Sequence, residues 1–197
     1  PVDWGKLILS RYAPTTHHIG FHFDRYDDFI YKPVIRSEIR QLVASNQGHY
    51  TVYLPAIDDK DLVNVLKQIP QVRWEVFSKH AKVAYHDANV FVEPVNNEKF
   101  NASMASCEGV FTGGGFEGPA EALHLGKKLL VAPMRFQYEQ QCNAYALKQF
   151  GLPVIWGSNR NWVPILKEFV ANPQEHQFDF PDETAAIIAN AVSTFAR

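Results

Sequence analysis

A cluster of glycines between an apolar segment and a helix is the part of this chain best suited to chemistry. The sequence Phe111-Thr-Gly-Gly-Gly-Phe-Glu-Gly-Pro-Ala-Glu121 runs from a predicted strand into a predicted helix that begins at Pro119. Glycine has no Cβ atom, so its backbone N–H groups can approach an anion closely and it can adopt positive φ angles. The N-terminus of the following helix adds a positive dipole. Together these properties predict a phosphate-binding site.

Three polar side chains near the glycines could contact other parts of a phosphate-bearing ligand. Glu121 lies one turn inside the helix, where a carboxylate can either accept two ribose hydroxyls or simply stabilise the helix dipole. Glu139 and Gln140 open the helix after the next strand. A carboxylate beside a carboxamide suits adjacent hydroxyls of a hexose, although solvated first-turn residues are the alternative interpretation.

From Gly48 onwards, short apolar strands alternate with amphipathic helices. The predicted strands cover residues 49–54, 72–77, 90–92, 109–112, 128–132 and 153–156, and the predicted helices cover residues 58–69, 97–106, 119–125, 138–150, 161–170 and 182–195. This alternation predicts an α/β fold, a Rossmann-like parallel sheet with helices on both faces. Ligands bind such sheets at the carboxyl ends of the strands, which is where the glycines lie.

The first forty residues differ from the rest because aromatic residues crowd around charges and prolines. A short strand is predicted over residues 19–23 and a turn entering a short helix over residues 33–40. We interpret residues 1–40 as the end of an N-terminal domain with an interdomain linker, and residues 41–197 as the Rossmann-like domain. Because the chain begins at Pro1 and enters mid-pattern, we expect it to be a piece of a longer protein.

Composition argues against several other functions. A net charge of -2 gives no reason to expect nucleic acid as the main partner, and no apolar run is long enough for a transmembrane helix. Cys107 and Cys142 lack zinc-ligand spacing, so we expect no metal and two reduced, largely buried thiols in a cytoplasmic protein. The glycine spacing is not the dinucleotide fingerprint, so a nicotinamide cofactor is not expected either.

Two motifs in residues 111–144 carry a family resemblance. The glycine-rich turn and the helix start Gln140-Gln-Cys-Asn-Ala144, with Gly126-Lys-Lys-Leu-Leu-Val-Ala-Pro133 between them, resemble the donor-binding signature of GT-B glycosyltransferases of the UDP-glycosyltransferase type. They are also similar to the peptidoglycan-precursor N-acetylglucosaminyltransferase. The resemblance implies that the Rossmann-like domain is the C-terminal half of a GT-B fold.

The resemblance also implies a role for each motif residue. Glu121 would bind the ribose, Glu139 and Gln140 would bind the transferred sugar, and Pro94 and Val95 would frame the base. The diphosphate would be held by residues of the glycine-rich turn, namely Gly113, Gly114, Gly115, Phe116, Glu117 and Gly118.

Two further positions of the motif bear on how the site is built. Asn143 would have a structural role and tie its helix to the loop beneath it. Many members of the family place a histidine and a serine near the phosphates, whereas this chain has Gly113 and Gly118. We therefore expect backbone amides to bind the phosphates alone.

The activity implied by the resemblance is transfer of a hexosyl group from a nucleoside-diphosphate sugar, with UDP as the expected nucleotide, to an acceptor hydroxyl. The nucleotide sugar is a substrate, so no cofactor is expected. The catalytic base would belong to an N-terminal acceptor-binding domain, which could also contact a membrane peripherally, and this chain would be inactive alone.

Two alternatives remain open from the sequence. One is a nucleotide-sugar epimerase of the same architecture, for which Glu117 and Glu139 are the only candidate acids or bases near the sugar. The other is a non-catalytic donor-binding subunit of a split transferase.

Overall fold

The computed structural model describes residue 11 and residues 14–157, 162–173 and 177–195. The chain divides into two compact units, one of residues 1–34 with 180–197 and the other of residues 35–179. Residues 180–197 thus group with the first segment rather than with the Rossmann-like body. The interpretation of residues 1–40 as a domain end and linker stays a prediction, and residues 1–10, 12 and 13 of that segment lie outside the described residues.

Fifteen helices and strands are defined within the described ranges. In chain order they are β1 (Gly20–Phe21), β2 (Ile30–Tyr31), α1 (Ser37–Arg40), β3 (His49–Tyr53), α2 (Asp59–Leu66), β4 (Arg73–Ser78), β5 (Tyr85–Asp87), β6 (Val90–Pro94), α3 (Asn97–Ser106), β7 (Gly109–Thr112), α4 (Glu117–His124), β8 (Lys128–Val131), α5 (Tyr138–Gln149), α6 (Trp162–Ala171) and α7 (Thr184–Phe195).

The smaller unit contains a short strand pair and the last helix. β1 and β2 pair in parallel over two residues each, so the strand predicted over residues 19–23 is shorter than expected. Just before α7, the carboxylate of Glu183 accepts two hydrogen bonds from Nη2 of Arg25, at 2.7 and 2.8 Å. Phe23 and Ile187 are buried in this unit.

The larger unit is built on a six-stranded sheet with the order β5-β6-β4-β3-β7-β8. Every neighbouring pair is parallel except β5 with β6. Thr51 and Val52 of β3 point to opposite faces, yet both are 0% exposed, so helices cover both faces of the central sheet. The predicted Rossmann-like α/β fold is confirmed.

The antiparallel strand β5 was not predicted. Its sequence Tyr85-His-Asp87 is polar, and the turn to β6 lacks glycine, with Ala88 adopting a φ of 54°. Asn89 holds this turn by donating from Nδ2 to the carbonyls of Ile69 and Val72, at 2.9 and 2.6 Å. A long-range side-chain contact therefore replaces the local glycine signal on which a hairpin prediction depends.

The prediction of a strand over residues 153–156 is wrong. Only one parallel bridge, between Val131 and Val154, joins this segment to the sheet. Pro153 has no N–H to donate, which is consistent with a single bridge at the edge of the sheet.

Helix ends in the larger unit follow ordinary capping chemistry. Asp58 accepts from the backbone N of Lys60 at 2.9 Å to begin α2, and Asn96 accepts from the backbone N of Lys99 at 3.0 Å to begin α3. Such caps each stabilise a helix by about 1 kcal/mol. The helix that follows the glycine-rich turn has no such side-chain cap.

The end of α4 explains why β8 follows so closely. Gly126 adopts a φ of 68° and donates to the carbonyl of Leu123 at 3.0 Å, while Lys127 donates to the carbonyl of Ala122 at 2.9 Å. These are the two hydrogen bonds of a Schellman motif, which needs a left-handed residue at this position. The motif ends the helix and directs the chain into β8.

Three further features of the described residues concern membrane-spanning helices, metal-ligand clusters and the two cysteines. Within the described ranges, no helix combines the length and apolarity needed to cross a bilayer, and no three metal-ligating side chains cluster. Both cysteines are free thiols. Cys107 is buried as expected, but Cys142 is exposed, because it lies on the outward side of α5.

Candidate functional site

A cleft of about 560 Å³ lies at the carboxyl ends of the adjacent strands β3, β7 and β8. Three segments form most of its wall: residues 53–57 at the end of β3, Gly113 and Gly115 of the glycine loop that follows β7 (residues 113–116), and the β8–α5 loop (residues 132–137). The start of α4 and Gln140 of α5 complete this wall, together with Gly157 and Trp162. The predicted position of the ligand site, at the carboxyl edge of a parallel sheet, thus coincides with a real cavity.

Helix α4 begins at the cleft two residues earlier than predicted. Its first residue is Glu117, so Pro119 is the third helical residue rather than the first. Proline is tolerated there because first-turn N–H groups have no partner inside the helix. The N-cap residue, Phe116, makes no side-chain capping hydrogen bond, unlike Asp58 and Asn96 at the other helices. The N–H groups of Glu117 and Gly118 are therefore not capped by that side chain.

The glycines at this turn are needed for space rather than for unusual backbone angles. None of Gly113, Gly114, Gly115 and Gly118 has a positive φ, so the loop makes no use of the left-handed conformations that glycine allows. A Cβ atom added at Gly115 or Gly118 would meet nothing within 4 Å. These two glycines leave open space on the side of the cleft that they line.

Gly114 has a different role from its neighbours. A Cβ atom there would lie 2.6 Å from the backbone carbonyl oxygen of Gln140 and 3.0 Å from Cβ of Pro133. Its own carbonyl accepts a hydrogen bond of 3.2 Å from Nδ2 of the buried Asn143. Gly114 therefore packs the loop against α5, and the predicted structural role of Asn143 is confirmed.

The start of α5 also fixes the β8–α5 loop. Oε1 of Gln140 accepts from the backbone N of Met134 at 3.1 Å, and Nε2 of Gln141 donates to the carbonyl of Arg135. The backbone N of Gln137 donates to the carbonyl of Met134 at 3.2 Å. The two adjacent glutamines thus hold one wall of the cleft in place.

Glu121 has a protein partner that the sequence did not reveal. Its side chain is only 4% exposed, and Arg36 donates to both of its carboxylate oxygens, from Nε at 2.5 Å and from Nη2 at 2.9 Å. The same guanidinium donates from Nη1 to Glu38 at 2.9 Å. Glu121 therefore anchors α4 to the segment before α1, and its ribose-binding role stays a prediction.

The structure brings some of the predicted site residues together and leaves others apart. Those that line the cleft are Gly113, Gly115, Gly118 and Gln140. Those that do not line it are Gly114, Phe116, Glu117, Glu121, Glu139, Pro94 and Val95. Pro94 ends β6 and Val95 follows it. Two strands separate β6 from β7, so β6 and β7 lie about 14 Å apart across the sheet. The base-framing and sugar-binding roles of the residues outside the cleft stay predictions.

Trp162 is a cleft residue that sequence reasoning missed. It opens α6, is 2% exposed, and packs edge-to-face on Phe111 with ring centroids 5.4 Å apart. Its buried indole N–H has no hydrogen-bond partner within the described part of the chain. A buried donor without a partner is costly, so Trp162 is a candidate donor to a ligand. Nothing in the surrounding sequence marked this tryptophan as a site residue, and Asn161 of the predicted helix lies outside the described residues.

A second polar cluster lies at the opposite, amino edge of the sheet. Nε2 of His49 is 3.1 Å from Oγ of Ser103, which donates to Glu75 at 2.8 Å and lies 2.7 Å from Oγ1 of Thr51. These residue types could form a nucleophile and base. However, His49 is 1% and Ser103 7% exposed, and neither lines the cleft. The cluster therefore satisfies buried polar groups between α3 and the sheet.

This cluster predicts a pH dependence of stability. Burial lowers the pKa of His49 from its ordinary value of 6.5; the nearby Glu75 carboxylate raises it, and the charges of Arg73 and Lys127 lower it. Below about pH 6.5, His49 binds a proton more readily in the unfolded chain than in the folded protein. The free energy of unfolding therefore falls as pH falls. We expect His49→Gln to lose less unfolding free energy than the wild type between about pH 7.5 and about pH 5.5 in urea titrations. Equal losses in the two proteins would contradict this assignment.

Comparison with known proteins agrees with this geometry. A family model described as glycosyl transferase family 1 matches residues 11–172. Among solved structures, the glycotransferase of kitacinnamycin is 16% identical with a TM-score of 0.56, and the match covers 76% of this chain and 43% of that chain. A spinosyn rhamnosyltransferase complexed with thymidine diphosphate is 15% identical with a TM-score of 0.52, covering 88% of this chain and 53% of that chain.

Low identity and partial coverage limit what the two structural matches show about this chain. At such low identity the two structures establish the fold, which is the Rossmann-like architecture of GT-B enzymes. The chain spans about half the length of these two proteins or less. No curated protein sequence matches it.

Proposed function

The chain belongs to glycosyl transferase family 1, and from this membership we propose that it is the donor-binding domain of a glycosyltransferase. The reaction proposed is transfer of a hexosyl group from a nucleoside-diphosphate sugar to an acceptor hydroxyl. The glycine loop and the start of α4 bind the diphosphate of the donor, and the catalytic base comes from an acceptor-binding domain outside these 197 residues.

One observation carries the proposal: an uncapped helix N-terminus meets an open glycine backbone inside a cleft. Gly115 and Gly118 have empty space where side chains would lie, and both line the cleft. Phe116 offers the first turn of α4 no side-chain acceptor. Backbone N–H groups in this arrangement require an acceptor, and a phosphate oxygen is the acceptor best matched to the helix dipole.

The geometry suits the departure of a nucleoside diphosphate. As the bond between the anomeric carbon and the diphosphate oxygen breaks, the electron pair stays on that oxygen and negative charge grows there. Fixed N–H donors next to that oxygen stabilise the growing charge without having to reorganise. The acceptor oxygen bonds to the anomeric carbon, and its proton passes to the base of the other domain.

Two side-chain contacts with the donor are also part of the proposal. Gln140 lines the cleft, and with Oε1 bonded to Met134 its Nε2 group is left as a donor to the transferred sugar. The indole N–H of Trp162 is a second donor. We retain UDP as the first nucleotide to test. Thymidine diphosphate belongs beside it because the spinosyn rhamnosyltransferase was solved with that nucleotide.

The partner and the compartment are also proposals. The partner is the acceptor-binding domain, either in the same polypeptide or as the other subunit of a split transferase. The two free thiols favour the cytoplasm, where cysteines remain reduced. For the epimerase alternative, the two carboxylates that it would need, Glu117 and Glu139, are exposed and do not line the cleft.

A thermal-shift panel tests the proposed ligand class. UDP, thymidine diphosphate and their hexose conjugates should raise the melting temperature of the 197-residue chain, because a ligand that binds only the folded state stabilises it. At about one hundred times Kd the expected rise is about 5–10 °C. Uridine and thymidine at the same concentration are the controls and should have little effect. A melting temperature unchanged by every diphosphate would refute the proposal.

A further inference from the structure

The cleft is almost free of charged side chains. Its wall consists of glycines, prolines, apolar residues and a few neutral polar groups. Arg135 is the exception: among the described residues that line the cleft, it alone has a charged side chain. A diphosphate ester carries at least two negative charges at neutral pH, so a single cation in an otherwise neutral cleft has a large effect on which ligand binds.

The backbone that carries Arg135 is held at the rim of the cleft. Its carbonyl accepts from Nε2 of Gln141, and the preceding residue, Met134, donates to Oε1 of Gln140 at 3.1 Å. Both glutamines belong to the first turn of α5, which is itself packed against the glycine loop through Asn143. The position of Arg135 is therefore fixed relative to the loop that we propose binds the diphosphate.

The side chain of Arg135 makes no ion pair within the described ranges. Arg25 and Arg36 pair with carboxylates, whereas the contact recorded for the Arg135 guanidinium is with the ring of Phe136, 5.3 Å from its centroid. Phe136 is itself 90% exposed. Within the described ranges no carboxylate lies in ion-pair distance of Arg135. Arg135 therefore lies at the mouth of an otherwise uncharged cleft without an anionic partner. Its guanidinium is available to bind an anionic ligand.

We propose that Arg135 is the side chain that binds the diphosphate of the ligand, together with the backbone N–H groups of the glycine loop and α4. This inference rests on the proposed function and differs from the expectation that backbone amides bind the phosphates alone. The guanidinium donates paired hydrogen bonds to phosphate oxygens, and its charge strengthens them. In the transfer reaction the same charge stabilises the diphosphate as it leaves the anomeric carbon.

The consequence is selectivity by charge. A nucleoside diphosphate should bind more tightly than the monophosphate, and the monophosphate more tightly than the nucleoside. The preference should shrink as salt concentration rises, because an exposed guanidinium is screened by salt. A site made only of backbone amides would depend less on both ligand charge and salt.

The test is calorimetric titration of UDP, UMP and uridine into the wild-type chain, Arg135→Gln and Lys148→Gln. If the panel described above favours thymidine, the corresponding thymidine ligands replace them. Lys148 is exposed near the end of α5 and outside the cleft, so its variant removes the same charge without touching the site. Equal melting temperatures of the three proteins would verify that each is folded.

We expect Arg135→Gln to weaken UDP binding about tenfold and to leave uridine binding unchanged, while Lys148→Gln stays within about twofold for every ligand. Wild-type affinity for UDP in Arg135→Gln, or an equal loss for UDP and uridine, would overturn the role of Arg135 while leaving the proposed function standing. Absence of UDP and thymidine diphosphate binding in the wild type would overturn both.

Discussion

Replacing Gly114 by valine is expected to destabilise the larger unit and to abolish ligand binding. The new Cβ would lie 2.6 Å from the carbonyl oxygen of Gln140 and 3.1 Å from Cβ of the same residue, so the glycine loop must move away from α5. Moving the loop also breaks the hydrogen bond from Asn143 to the carbonyl of Gly114. Strain and the lost bond together should lower the free energy of unfolding by about 2–4 kcal/mol.

The measurement is urea unfolding of Gly114→Val beside Gly115→Ala as the matched control. The two positions are adjacent glycines, but a Cβ at Gly115 meets nothing within 4 Å. The control should therefore unfold within about 0.5 kcal/mol of the wild type. If Gly114→Val were as stable as the control, the close packing of the loop on α5 would be wrong.

Replacing Arg36 by methionine is the second change with a large expected effect. It leaves the carboxylate of Glu121, which is 4% exposed, without the two hydrogen bonds that Arg36 donates. An unpaired buried charge costs more than the ion pair contributed, because its desolvation is no longer offset. Arg36 is itself 40% exposed, so we discount the usual cost and expect a loss of about 2–3 kcal/mol.

A double-mutant cycle separates this cost from a general loss of packing. Arg36→Met and Glu121→Met are combined, and the free energies of unfolding of all four proteins are measured in urea. Removing both partners leaves no buried charge, so the double variant should be more stable than Arg36→Met alone. A double variant whose loss equals the sum of the two single losses would show that the pair is not coupled in the folded protein.

The sequence predicted well those features that depend on neighbouring residues. The bounds of α3 and β7 match the prediction because Asn96 caps one and a continuous apolar run forms the other. The position of the glycine loop at the carboxyl edge of a parallel sheet follows from the alternation of strands and helices. The contact between Asn143 and the loop beneath it was expected from the motif and is present.

The sequence did not predict features that depend on distant residues. Arg36 and Glu121 are 85 positions apart, so nothing local in the sequence links this carboxylate to its arginine partner. The role that we propose for Arg135 had no recognisable sequence pattern, since it depends on the neutrality of segments that folding brings together around the cleft. The distinct role of Gly114 among its neighbours required the position of Gln140.

The start of α4 illustrates the limit of local rules. Proline is common at the first helical position, which placed the predicted start at Pro119. The helix instead starts at Glu117, because proline is also tolerated later in the first turn, where its missing N–H costs no helical bond. The early start brings Gly118 into the first turn and onto the wall of the cleft.

The central claim is that a nucleoside diphosphate lies against the open backbone of the glycine loop, and Gly115→Val tests it most directly. The valine side chain would meet no protein atom near its Cβ, so the fold should be kept, but it would occupy the space beside the loop. Calorimetric titration of UDP and thymidine diphosphate should give binding to the wild type and at least about a tenfold loss in Gly115→Val, at an equal melting temperature. Equal affinity in both proteins would contradict the account, as would the absence of heat with either nucleotide in the wild type.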